Sequence, residues 1–157
     1  MPHEIRLYRT ADVDKVRAVL CDPSVFDLIC GDCEIEPQDF VPSNVADPSY
    51  YFLIAEVDGQ LAGCVIFDPV EPGVYDAHLN VLPDYWGKGI GKEIAMRSLR
   101  WMFDHTDCTK MVAEIPDAPY CDPVLRVAEK CGFRVVGLKE STRLLNLNRA
   151  EFNAAGL

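Results

Sequence analysis

Long apolar runs are missing from this 157-residue chain: none approaches the ~20 residues of a membrane span. The first residues, Met1 to Arg6, lack the basic-then-apolar plan of a secretory leader, so a cytoplasmic protein is expected. Basic charge is scarce as well. Fifteen Lys and Arg face 25 Asp and Glu, a net charge of −10. Such a balance argues against nucleic acid, which needs a basic face. An acidic field favours a cationic partner such as an amine, and it equally serves solubility alone. Histidine occurs three times, and no second cysteine pair accompanies the C-x-x-C spacing of Cys30 and Cys33. A zinc site needs four ligands, so no metal is expected. The seven cysteines are an odd number, and Cys64, Cys108 and Cys131 lie in or beside apolar segments. They read as reduced, buried small hydrophobes. Repeats, low-complexity tracts and linkers are absent too, so residues 1–157 are expected to form one domain.

What is present is a hydrophobic share of 49%, enough for a core without disulfides. Ile5 to Tyr8 reads as a strand. Thr10 is a candidate N-cap for a helix over Ala11 to Leu20, with Val13, Val16, Val19 and Leu20 on one stripe. Pro23 restarts a helix to Ile29, and residues 30–49 form a loop that is either a plain connector or the lining of a substrate cleft. Tyr50 to Val57 and Leu61 to Phe67 read as a hairpin around Asp58-Gly59, and Pro69 to Gly73 as a break. Val74 to Leu82 alternates, with Tyr75, Ala77, Leu79 and Val81 on one face and Asp76, His78 and Asn80 on the other. A helix follows over Gly89 to Asp104, then a strand over Lys110 to Ile115. Asp122 and Pro123 open another helix, ended by Gly132. Strands over Phe133 to Leu138 and Thr142 to Leu147 and a short C-terminal helix complete a βααβββαβαββ order. This predicts an α/β (α+β) fold with a mixed central sheet of about seven strands and helices on both faces.

The densest feature lies between the fourth strand and the helix after it. Gly87, Gly89 and Gly91 recur at every second position and open the helix. Glycine lets backbone approach a ligand, and a helix N-terminus adds unpaired N–H groups and a positive dipole end. Together they predict an anion cradle of the kind that holds phosphate. Lys88 and Lys92 put basic charge at the unfavourable end of that dipole, which makes sense with an anion seated there. The G-x-x-x-x-G-K-S/T phosphate loop and the G-x-G-x-x-G dinucleotide fingerprint are both absent.

Trp86-Gly87-Lys88-Gly89-Ile90-Gly91 resembles the Q/R-x-x-G-x-G/A loop of the GNAT N-acetyltransferase superfamily, with Trp86 in place of the usual Gln or Arg. Glu129-Lys130-Cys131-Gly132-Phe133 resembles the E-K-x-G-F of its second motif, and the likeness covers nearly the whole chain. The resemblance implies the GNAT fold, acetyl-CoA as co-substrate and an amine acceptor. It implies that the pantetheine arm pairs with backbone of Leu79, Asn80 and Val81. The pyrophosphate would rest on amides from Trp86 through Gly87, Lys88, Gly89 and Ile90 to Gly91, with Lys88 and Lys92 near. A homodimer is a family-level expectation; no nucleic acid and no membrane are expected as partners.

Direct acyl transfer needs a base for the amine and an acid for the leaving thiolate. His78, three residues before Val81 on the strand beside the thioester, is the first candidate base, since its ordinary pKa suits neutral pH. Glu114 matches the approximate place of a Glu base in some members. Many members carry an Asn seven residues before an acidic Tyr, but Cys121 and Ala128 stand at those positions. Tyr120, next to Cys121, is the substitute acid. A second resemblance rests on His78, Ile115-Pro116 and Cys131-Gly132-Phe133, and is to short phage-encoded GNAT-like proteins. It implies an alternative, a non-catalytic binding or assembly protein that holds CoA or a protein partner.

Overall fold

The computed structural model describes residues 3–30 and 34–155, so the Cys30 to Cys33 spacing lies outside the described residues. Seven strands form one sheet in the order β1-β2-β3-β4-β5-β7-β6. They are β1 (Ile5–Arg9), β2 (Tyr51–Val57), β3 (Gln60–Glu71), β4 (Val74–Val81), β5 (Lys110–Pro116), β6 (Arg134–Lys139) and β7 (Thr142–Asn148). The helices are α1 (Val13–Leu20), α2 (Pro23–Cys30), α3 (Ile90–His105), α4 (Asp122–Lys130) and α5 (Arg149–Ala154). Every neighbouring pair is antiparallel except β4 and β5. A parallel pair needs a long crossover, and α3 supplies it.

The two faces of the sheet carry separate cores. Phe52, Ile54 and Cys64 pack under Val16, Val19 and Leu20 of α1. Leu53, Val65, Phe67, Met111 and Leu145 pack under Ile90, Ile94, Leu99, Met102 and Phe103 of α3. The alternation expected along β4 holds. Ala77, Leu79 and Val81 join the α3 side, while Asn80 is buried on the other, its amide donating to the Cys64 carbonyl at 3.2 Å. Asp58 (φ 51°) and Gly59 (φ 82°) form the expected tight turn between β2 and β3.

Two local expectations are corrected. Asp12, not Thr10, caps α1: its carboxylate accepts from the Asp14 N–H at 2.9 Å. Thr10 instead donates its backbone N–H to Phe52 in the sheet and accepts from the Asp12 N–H on its hydroxyl. Pro69 does not break β3. The rungs between β2 and β3 end at Tyr51 and Phe67, so beyond that point β3 has a free side where a residue without an N–H costs nothing. The strand therefore runs on through Pro69, with a bulge between Pro69 and Glu71, and turns at Pro72 and Gly73 into β4.

Candidate active site

The site forms where β4 and β5 part. Their parallel ladder has three rungs, Val74 with Lys110, Tyr75 with Met111 and Asp76 with Val112. Beyond Asp76 the strands diverge, and Ala77 to Val81 and Ala113 to Pro116 become walls of a cavity of about 1100 Å³. On the side facing β5, the backbone of Ala77 to Val81 has no strand partner among the described residues. The backbone N–H and C=O groups of this stretch on that side are therefore left without the ladder partners that a strand normally has. Gly63 brings β3 hard against the other side of the strand: a Cβ there would lie 2.7 Å from the Asn80 carbonyl oxygen.

At the end of β4 a single turn of 3-10 helix, Pro83–Tyr85, leads into the glycine loop. The Trp86 indole N–H donates to the Val81 carbonyl at 2.7 Å and pins the loop to the strand. Gly87 (φ 73°) and Gly89 (φ 77°) are left-handed, a conformation that an L side chain resists. Gly89 is the N-cap of α3, whose first backbone bond runs from the Glu93 N–H to the Gly89 carbonyl. The amides of Ile90, Gly91 and Lys92 precede that bond and have no helical acceptor. Leu79, Asn80, Val81, Trp86 and Gly87 line the large cavity, while Lys88 and Ile90 line a smaller one of about 280 Å³ beside it. The loop thus lies between the two spaces. These features fit a nucleotide-thioester: free backbone for the arm and free amides with two lysines for the phosphates.

His78 projects from the opposite face of β4 to Leu79 and is among the residues that line the large cavity. Its Nε2 lies 3.1 Å from Asp68 and 3.6 Å from Asp76. The hydrogen bond to Asp68 pushes the His78 pKa above its ordinary value, against the opposing pull of partial burial; Asp76, Asp68 and Glu114 add their charges in the same upward direction. Burial also raises the Asp76 pKa, an effect that the neighbouring His78 opposes. Asp76 Oδ1 is buried without a hydrogen-bond partner among the described residues. Glu114 borders the same cavity, exposed, on β5.

Tyr120 also borders it, from the turn before α4, with 68% of its surface exposed. Cys121 and Ala128 line the wall where the family resemblance implies an Asn and a Tyr, so no phenol projects from α4. The loop after α2 contributes Phe40, Val41, Pro42, Ser43 and Asn44, which makes it a cleft wall.

Two residues escaped the sequence reading. Asp68 needed the β3–β4 register, in which it sits opposite Asp76, and that register was hidden behind Pro69. Arg126 borders the cavity from α4, and nothing in its local sequence distinguishes it from a solvated arginine.

The family model for the acetyltransferase (GNAT) family matches residues 22–133. The chain belongs to that family. It is an N-acetyltransferase, and acetyl-CoA is its acetyl donor. The same fold appears in solved structures. A mutant spermidine N-acetyltransferase SpeG from Vibrio cholerae superposes with a TM-score of 0.72 at 13% identity, over 98% of each chain. The aminoglycoside acetyltransferase AAC(6')-Ib in complex with coenzyme A gives 0.75 at 18%, over 98% of this chain and 100% of that one. The Campylobacter jejuni N-acetyltransferase PseH in complex with acetyl coenzyme A gives 0.70 at 13%, over 93% and 99%. Among curated proteins no match was found. The GNAT fold is thereby the fold of this acetyltransferase, with the mixed seven-stranded sheet expected of it.

Proposed function

We propose that the enzyme acetylates a primary amine by direct transfer, with His78 as the base. The observation that carries this is the parting of β4 and β5. It leaves β4 backbone without a strand neighbour on a cavity that Trp86, Gly87 and His78 also line. Leu79, Asn80 and Val81 would hold the pantetheine arm through their backbone, because the Asn80 side chain is already committed to Cys64. The amides from Trp86 to Gly91, with Lys88 and Lys92, would hold the pyrophosphate. The bound donor supplies an acyl carbon activated by its thioester.

The acceptor arrives as an ammonium, which the carboxylates of Asp68, Asp76 and Glu114 favour. It must lose a proton before it can react. Neutral His78 takes that proton, and Glu114 is the second candidate for the task. The nitrogen lone pair then attacks the thioester carbonyl carbon and a C–N bond forms; as the C–S bond breaks, the nitrogen sheds its remaining extra proton, which replaces the one given to the sulfur. The sulfur leaves with the bonding pair and takes a proton, for which Tyr120 is the candidate donor. Amide and free thiol result.

Both cores pack on one sheet, whose strands enclose the cavity together with the helices and loops around it, which supports residues 1–157 acting as a single acetyltransferase domain. Among the described residues no helix is long and apolar enough to cross a membrane. A cytoplasmic setting, without nucleic acid or membrane as partner, follows as part of the same reading; homodimerisation remains the family-level expectation.

Release of thiol from acetyl-CoA over a panel of amines tests the reading. His78→Ala is expected to lower kcat by about 10²-fold or more while leaving CoA affinity by calorimetry unchanged. Tight CoA binding with no turnover on any amine would sink it, and would favour a GNAT fold kept for binding or assembly.

A further inference from the structure

The acceptor end of the cavity has an uneven chemistry. Its charged groups sit on the sheet floor, where Asp68, His78 and Glu114 border the space from three adjacent strands. The mouth is apolar. Leu28 and Ile29 of α2, Val41 of the following loop and Val124 of α4 all border it, and they are 59%, 44%, 60% and 45% exposed. Isolated exposed aliphatics are ordinary, but several around one opening mark a binding surface. Among the described residues, Arg126 is the remaining charged side chain on the cavity, and it repels a cation.

From this division we infer that the acceptor is a small amine with one cationic nitrogen on an apolar body, not a polyamine or an amino sugar. The inference rests on the direct-transfer reading above. The carboxylates of Asp68 and Glu114 complement a single ammonium beside His78. The body of the acceptor covers Leu28, Ile29, Val41 and Val124. A second ammonium set against those aliphatic groups would meet no further carboxylate lining the cavity among the described residues, and would lose its hydration without return. The chemistry balances as for any acetyl transfer. The apolar ammonium gives one proton to His78, its nitrogen gains the acetyl carbon and releases a second proton, the C–S bond breaks, and the departing sulfur takes up one proton to become the thiol.

The test compares phenethylamine and hexylamine with spermidine and kanamycin as acceptors for the full chain with acetyl-CoA, by thiol release at one pH. The apolar amines are expected to show at least about tenfold higher kcat/KM, the scale on which an apolar pocket discriminates. Equal or higher kcat/KM for spermidine or kanamycin overturns the inference and leaves direct acetyl transfer standing. Turnover of none of the four, with CoA still bound by calorimetry, overturns the inference, and only failure on the whole amine panel removes direct transfer as well. Leu28→Asp and Val41→Asp alter exposed positions, where the fold tolerates charge. Each is expected to lower kcat/KM for phenethylamine and raise it for spermidine at unchanged melting temperature. An unchanged ratio in both variants overturns the inference.

Discussion

His78 shows how much one residue's neighbours decide. A lone histidine on a strand has a pKa near 6.5 and is mostly neutral at pH 7. Here it is held by Asp68 from β3, with Asp76 from its own strand and Glu114 from β5 nearby, and its proton is bound more tightly. The consequence for stability has a definite sign. A raised pKa in the folded state contributes stability that is fully present below the ordinary histidine value. That stability is lost as pH rises through the raised value. The consequence for catalysis runs the other way, because the base must be neutral. The rate is therefore expected to climb with pH as His78 loses its proton. Asp68→Asn should bring that ascending limb to lower pH, as read from kcat/KM against pH. A limb that stays in place in Asp68→Asn would take His78 out of the role of base. Cysteine behaves oppositely in this fold. Burial pushes Cys64 up to about 12 and Cys131 up to about 11, so both are expected to stay unmodified by thiol reagents at pH 8 until the protein unfolds.

At the scale of elements, the strands and helices were largely legible because their periods are clean. The alternation of β4 and the stripe Ile90, Ile94 and Leu99 of α3 each point one face at one core. The glycines before α3 marked the loop, since Gly87 and Gly89 need the left-handed region. What the local sequence hid is whatever depends on a neighbour. Pro69 is tolerated because β2 has already ended beside it, a fact about another strand. Asp12 outcompetes Thr10 as cap because Thr10 is held by Phe52 across the sheet. Asp68 meets His78 only in the register of two strands, and the cavity exists only because two strands diverge. Two substitutions test these elements. Gly63→Ala places a methyl 2.7 Å from a backbone oxygen of β4. It should cost about 1–3 kcal/mol by chemical denaturation, since neither strand can yield freely. Ile94→Ala, at a fully buried site under α3, should cost about 2–5 kcal/mol.

For the whole molecule, the acidic balance and the basic loop act at different ranges. The net charge of −10 favours the approach of amines and disfavours that of the polyanionic donor, which on the proposed reading Lys88 and Lys92 would hold locally. CoA binding is thus expected to gain from moderate salt, through the screened long-range repulsion, until the two lysines are themselves screened. Calorimetric Kd values across a salt series check this. Lys88→Ala with Lys92→Ala should weaken CoA and remove the loss at high salt. Saturating donor should also stabilise the fold, by about 2.7 kcal/mol at a concentration of 100 times Kd.

The three-rung ladder between β4 and β5 has one more effect. All strands before it come from residues 5–81 and all strands after it from residues 110–148, so the gap separates consecutive stretches of chain. Amides of Ala77 to Val81 that face the gap trade protons with solvent quickly when nothing lies beside them. A docked pantetheine arm would slow them, while the Leu53 and Ile54 amides deep in the sheet would barely respond. Deuterium uptake along β4 is therefore a gauge of occupancy, readable before any acceptor is known and in a variant that has lost all turnover.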